Sequence, residues 1–247
     1  MITKEKFKEG FASFLFTRRC RFCGRVVDIR EDVCEACSAN TGRIEGEICL
    51  KCGCKKDDCV CDGQLRFYKF SAAPYYYDGA AGGAVRSLKF NHNLFAGERL
   101  ADDMAQCFSE RFSEYSFDAV TFVPGTKNEF KKKRFNQAEF LARKVSERIN
   151  IECVPLLIKL FDTKRQHELR DNERSGNLIG VFDTAPGAET LLHNARVLLI
   201  DDVKTTGSTL NECAKTLLIG GAAEVFCLTA AIARKKKTEK GNTDEVF

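Results

Sequence analysis

The 247-residue sequence contains no apolar run long enough to cross a bilayer. Its opening stretch, Met1-Ile-Thr-Lys-Glu-Lys-Phe-Lys-Glu, lacks the apolar core of a signal peptide. The expectation is a cytoplasmic protein without a membrane span. No strong charge of one sign is present either: the net charge of +4 permits contact with nucleic acid but does not argue for it. No glycine spacing leads into Gly-Lys-Ser/Thr, which disfavours an ATP-type phosphate loop. No internal repeat is visible. Histidines number three, and His167 has no visible partner, so it reads as a bystander rather than a general acid.

What the chain does hold is concentrated at Arg196-Val-Leu-Leu-Ile-Asp-Asp-Val-Lys-Thr-Thr-Gly-Ser-Thr-Leu210. The run Val197 to Ile200 has the length of a strand buried on both faces of a parallel sheet. Asp201 and Asp202 follow at its carboxyl end. The loop Thr205-Thr206-Gly207-Ser208-Thr209 then leads into a helical pattern through Leu210, Cys213, Ala214 and Leu217. Backbone N–H groups converging at a helix start make an anion site, and Gly207 lets a phosphate approach the backbone. Thr205, Thr206, Ser208 and Thr209 add hydroxyl donors. The two acids would repel that phosphate, so they make sense facing ribose hydroxyls of the same ligand. A sugar phosphate fits both halves.

Cysteine is the other abundant signal. Nine of the thirteen lie between Cys20 and Cys61. In a reducing compartment such a cluster points to metal before disulfides. Cys20-x-x-Cys23 and Cys34-x-x-Cys37 aim four thiolates at one point, as a closed structural zinc site requires. A second set, Cys49-x-x-Cys52-x-Cys54 and Cys59-x-Cys61, offers five candidates for four places, with Cys49, Cys52, Cys59 and Cys61 the chosen ligands. Spacing alone leaves an interleaved pairing of the two sets open. The segment has too few apolar residues for a core of its own, so metal would supply much of its folding energy.

In chain order, residues 4–16 read as a short helix with Phe7, Phe11, Phe14 and Leu15 on one face. Leu65–Tyr77 reads as two aromatic strands split by Pro74, serving either core packing or base stacking. Helical patterns follow near Gly82–Asn91 and Ala96–Phe112, with Lys89 either a surface residue or a ligand contact. Phe117–Pro124 reads as a buried strand, succeeded by a basic loop with Lys131, Lys132, Lys133 and Arg134 and a helix carrying Ala138, Leu141, Ala142 and Val145. A strand–loop–helix unit beside the first is what a parallel α/β sheet produces. Residues 161–177 are polar without apolar period, Ala223–Ala230 gives one more strand, and the tail from 235 reads as disordered.

The acid pair and hydroxyl–glycine loop resemble the phosphoribosyl-pyrophosphate (PRPP) signature of type I phosphoribosyltransferases. With Val123-Pro124, Lys133-Arg134-Phe135-Asn136-Gln137-Ala138, the later Thr163, Gln166, Leu169, Glu173, Arg174, Asn177 and Phe182, and the leading cysteines, the chain resembles the ComF family, competence-associated proteins with a zinc module and a phosphoribosyltransferase domain. It departs from the family in Val123-Pro-Gly125 and in lacking a glycine between Arg134 and Phe135. The resemblance implies a type I phosphoribosyltransferase-like parallel sheet flanked by helices (65–234), a cysteine-rich zinc module (1–64) and a tail (235–247). It also implies PRPP with Mg²⁺ as ligand, Asp201 and Asp202 as catalytic acids, and residues 205–209 on the 5′-phosphate. Lys133 and Arg134 would meet the pyrophosphate, and Arg174 would lie in a flap closing over the reacting ligand. The process implied is DNA uptake, with single-stranded DNA and uptake-machinery proteins as partners, and the rival reading is a catalytically silent module binding single-stranded DNA.

Overall fold

The computed structural model describes residues 18–59, 61, 65–125, 135–160 and 180–234. The sheet is built on β6 (Arg196–Lys204) and β7 (Glu224–Ile232), flanked by β1 (Phe70–Ala72) and β3 (Ala119–Phe122) in the order β1-β7-β6-β3. Past Pro74, β2 (Tyr75–Tyr76) resumes the β1 edge against β7. All these pairings are parallel. A second, antiparallel pair joins β4 (Leu157–Lys159) to β5 (Phe182–Thr184).

The period-two alternation of β6 and β7 sends their side chains into two cores. Leu198, Ile200, Phe226 and Leu228 pack under α2 (Gly79–Asn91), α3 (Leu94–Arg111) and α4 (Gln137–Ile149), through Leu88, Leu100, Met104 and Leu141. Val197, Leu199, Val225 and Cys227 face α6 (Ser208–Ile219), where Leu210, Cys213 and Leu217 meet them. Burial on both faces explains why β6 opens as an uninterrupted apolar run. Two short helices, α1 (Glu35–Ser38) and α5 (Glu189–Leu192), complete the α-helices among the described residues, and a 3-10 turn spans Lys56–Asp58. The architecture is the α/β class expected: a parallel sheet with helices on both faces and a cysteine-rich amino-terminal segment.

Helix starts are set by side-chain caps. Asn93 accepts from the Ala96 N–H at the head of α3, and Asn136 accepts from Ala138 and Glu139 at the head of α4. Asn136 Nδ2 also donates to the Val123 carbonyl, 3.1 Å away. The turn into α4 is therefore defined without the glycine that the family pattern carries before Phe135. Six aromatics of residues 67–77 serve the fold: Tyr68, Tyr75 and Tyr76 are buried, and Phe67, Phe70 and Tyr77 are half-buried against the cores. Of the two uses left open for this stretch, core packing is what the structure shows.

The cysteine-rich segment lies on the sheet edge and on α3. Phe22, Cys34, Ile44, Ile48 and Cys54 share a core cluster with α2–α4. Arg21 bonds Asp102 at 2.8 Å, and buried Asp103 meets Arg99 at 2.8 Å and Arg43 at 3.8 Å. Beyond β7, the Arg234 guanidinium stacks 3.8 Å over the Tyr76 ring and pairs with Asp78 and Asp58. The amino-terminal helix expected at 4–16, the loop carrying Lys131–Arg134, the stretch 161–177 with His167 and Arg174, and the tail from 235 lie outside the described residues.

Candidate phosphate-ligand site and cysteine centres

β6 runs four residues past its apolar stretch, so Asp201 and Asp202 sit within the strand rather than after it. The hydroxyl loop leaves the strand at Thr205 and enters α6 at Ser208, with Gly207 at the cap in the left-handed region, φ 81°. A Cβ at Gly207 would lie 3.0 Å from Lys204 Cε and 3.4 Å from the Tyr68 hydroxyl, so both backbone and space favour glycine. Thr206 Oγ1 and Ser208 Oγ are 2.9 Å apart, and the Ser208 N–H donates to Thr206 Oγ1. The backbone N–H groups of Thr205, Thr206, Gly207 and Thr209 meet no carbonyl among the described residues. Thr205 is exposed, and Thr206, Ser208 and Thr209 are half-buried. The loop is open, with donors and a helix N-terminus directed at one place.

Beside it, the Asp202 N–H donates to Asp201 Oδ1, and the Val203 N–H donates to Asp202 Oδ1. Lys89, in the last turn of α2, reaches Asp202 Oδ2 at 3.2 Å. Burial and the adjacent Asp202 charge push the Asp201 carboxyl well above the usual range, against the opposing pull of the Asp202 N–H and Lys89. Asp202, in turn, lifts the Lys89 ammonium above the ordinary lysine value. The strained acid pair is relieved by positive charge placed over it. The Gln137 amide donates to the Lys89 carbonyl at 3.3 Å, tying the start of α4 to the end of α2 at the rim of the site.

The cysteine centres separate cleanly. Cys20, Cys23, Cys34 and Cys37 bring four sulfurs within 4.8 Å of one another, and so do Cys49, Cys52, Cys59 and Cys61. The pairing is sequential, not interleaved, and Cys54 stands outside the second group. Sulfur pairs at 3.7 Å occur in each: Cys23 with Cys34, Cys49 with Cys61, and Cys52 with Cys59. Four thiolates about 2.3 Å from zinc have tetrahedral edges of roughly 3.8 Å, so both sets fit that ion. Burial raises Cys20 and Cys49, but hydrogen bonds to backbone and neighbouring thiols outweigh it and hold them at about 6 and about 7. Burial and neighbouring thiols drive Cys37 and Cys61 upward. Each cluster thus contains thiols ready to ionise beside thiols that resist, a conflict a divalent cation resolves.

Two features escape motif reading. Lys204, inside the motif, is buried at 4% exposure and donates to the Cys52 carbonyl (2.9 Å), Ser71 Oγ (3.0 Å) and the Lys51 carbonyl (3.4 Å). Its place in the alternation, in step with Leu198 and Ile200, is the signal that could have found it. Gly53, φ 76°, lets the second knuckle lie against the sheet edge, since a Cβ there would meet Ser71 O at 2.8 Å and Ile232 Cδ1 at 2.7 Å. Lys133, Arg134 and Arg174 lie outside the described residues.

No family model matches the chain. Among curated relatives, competence protein ComFC of Bacillus subtilis (strain 168) is 27% identical over 208 residues, covering 78% of this chain and 80% of its own length. The DNA utilization protein YhgH of Salmonella typhi is 26% identical over 215 residues, covering 85% and 88%. Among solved structures, purine phosphoribosyltransferase from Pyrococcus horikoshii aligns with a TM-score of 0.34 at 16% identity, over 55% of this chain and 85% of its own. A glutamine PRPP amidotransferase from B. subtilis aligns at 0.37 and 19%, the chain spanning 26% of its length. The parallel sheet, with an acid pair and a hydroxyl–glycine loop at the end of a central strand, is the arrangement that the resemblance to type I phosphoribosyltransferases implies, here with cysteine centres able to hold zinc. Over most of its length the chain is thus similar, at 25–27% identity, to competence and DNA utilization proteins, in line with its resemblance to the ComF family.

Proposed function

We propose that this chain binds PRPP with Mg²⁺ and serves DNA uptake, with phosphoribosyl transfer to an acceptor as the chemistry its site is built for. The observation that carries the reading is the open loop at 205–209, with its free N–H groups and Gly207 at φ 81°, next to the Asp201–Asp202 pair. The loop holds the 5′-phosphate, and that binding energy fixes the position of the anomeric carbon. Asp201 and Asp202 accept from the ribose hydroxyls and favour the positive charge that grows on the ring as pyrophosphate departs. Lys89 is released from Asp202 when hydroxyls replace it and becomes available to the leaving group's charge. Mg²⁺, when bound, supplies oxygen coordination that neutralises the pyrophosphate. Lys133, Arg134 and Arg174 are assigned to that charge as well, on the resemblance alone. The process follows the names of the relatives, competence protein ComFC and DNA utilization protein YhgH. Zinc in the two cysteine centres is structural.

Calorimetric titration of the full chain with PRPP and Mg²⁺ tests the reading. Saturable heat that falls at least tenfold in affinity for Asp202→Asn supports it, while absence of heat with folded protein overturns it. Pyrophosphate release on adding candidate amines or bases separates transfer from binding.

The second reading, a module for single-stranded DNA, loses the buried aromatics of 67–77 as stacking platforms. It retains Phe90, next to Lys89 in the chain, and Phe95, which are 67% and 78% exposed. Oligonucleotide binding that weakens steeply with salt and is lost in Phe90→Ala/Phe95→Ala favours it.

A further inference from the structure

Lys204 closes β6 one residue before the hydroxyl loop, and its ammonium is nearly sealed from water. Among the described residues no carboxylate lies within ion-pair distance of it. Burial accordingly holds the Lys204 ammonium below the ordinary lysine value, and keeping its charge there takes a negative group close by. Two of its three acceptors are the carbonyls of Lys51 and Cys52, and the third is Ser71 Oγ. Cys52 is at once the acceptor and, through its sulfur, a member of the second cysteine centre. Zn²⁺ with four thiolates carries a net charge of about −2, which would favour an ammonium held on the backbone carbonyl of one of its own ligands.

We infer that Lys204 is a positioning residue coupling the second cysteine centre to the loop at 205–209, so that zinc in the centre holds the loop in its anion-binding shape. The inference deepens the proposed function, resting on that reading for the identity of the ligand but not for the coupling itself. With the ion bound, the Cys49–Cys54 turn keeps its carbonyls on Lys204 Nζ. Without it, four crowded thiols have no common partner, the turn relaxes, and the ammonium is left with Ser71 alone. The side chain then leaves its pocket for water. Its Cε is the atom that limits space at Gly207, 3.0 Å from the Cβ position, so that departure moves the floor on which the loop rests.

Hydrogen exchange read by mass spectrometry on the zinc-loaded full chain, without PRPP, tests the coupling. Cys49→Ser/Cys59→Ser should raise exchange of amides 205–210 about tenfold, while Cys23→Ser/Cys37→Ser in the first centre should change it less than about twofold. In Lys204→Met the same amides should exchange fast with zinc still bound, and adding Cys49→Ser/Cys59→Ser should add less than about twofold. Unchanged loop exchange after loss of the second zinc, an equal rise from the first centre, or additive effects would each overturn the inference. Should Lys204→Met not fold, the comparison of the two cysteine pairs decides alone. PRPP calorimetry on the same proteins keeps the two ideas apart. Coupled exchange without PRPP heat removes the ligand and leaves the coupling, and PRPP heat without coupled exchange does the reverse.

Discussion

Gly207→Ala places one methyl group at the point where strand, loop and helix meet. The residue sits at φ 81°, where a side chain costs about 1–2 kcal/mol on backbone grounds alone. The new Cβ would also lie 3.0 Å from Lys204 Cε and 3.4 Å from the Tyr68 hydroxyl. The first contact requires a shift of a few tenths of an ångström by a side chain anchored on two carbonyls and a serine, so it adds to the strain. If the loop kept its shape, the whole cost would appear as stability, roughly 3–6 °C in melting temperature for a chain of this size. If the loop instead relaxed to negative φ, the N–H groups of residues 207–209 would turn away from their common point. PRPP affinity would then fall about tenfold or more, each tenfold being about 1.4 kcal/mol. Thermal unfolding and calorimetry on the same sample therefore report complementary shares of one penalty. Gly207→Ala with both melting temperature and PRPP affinity unchanged would refute the assigned role of this glycine.

Asp201→Asn should stabilise the protein at neutral pH while weakening PRPP binding. The folded state holds a raised carboxyl pKa, so stability falls as pH rises from the unfolded value of 3.8 through the folded one, and the amide removes that loss. Scanning fluorimetry between pH 4 and 8 should show wild type and variant diverging with rising pH, and a less stable variant at pH 7 would contradict the repulsion argument. Cys59→Ser should lower bound zinc from two ions to one by elemental analysis, whereas Cys54→Ser, outside both sulfur groups, should leave two. Lys89→Met should weaken PRPP binding without affecting zinc content, since its bond reaches Asp202 and neither centre.

Much of this arrangement is legible in the sequence. The run Val197–Ile200 announced a strand covered on both faces, and the period of Leu100, Met104 and Cys107 announced α3, because burial and side-chain periodicity are local properties of sequence. The two Cys-x-x-Cys pairs of the first centre carried their own geometry. For the second centre, Cys49, Cys52, Cys59 and Cys61 are both the ligands chosen from the sequence and the set that comes together, although five cysteines at tight spacing do not by themselves exclude Cys54. Long-range facts were likewise hidden. That Lys89 meets Asp202 across 113 positions, and Lys204 meets Cys52 across 152, depends on the sheet order, which no local pattern encodes. The antiparallel pair β4–β5 leaves no signal in the sequence, because each strand is three residues long, too short to show alternation.

Arg234 has a practical consequence. Its cation lies over Tyr76 while reaching Asp58 and Asp78, so one side chain past the final strand ties its own segment to the stretches at Asp58 and at Tyr76–Asp78. A protease nick after Ile232 would spare every strand and both sulfur clusters, yet it would unfasten the hem of the sheet. Fragments meant for crystallisation should therefore be trimmed no shorter than residue 234.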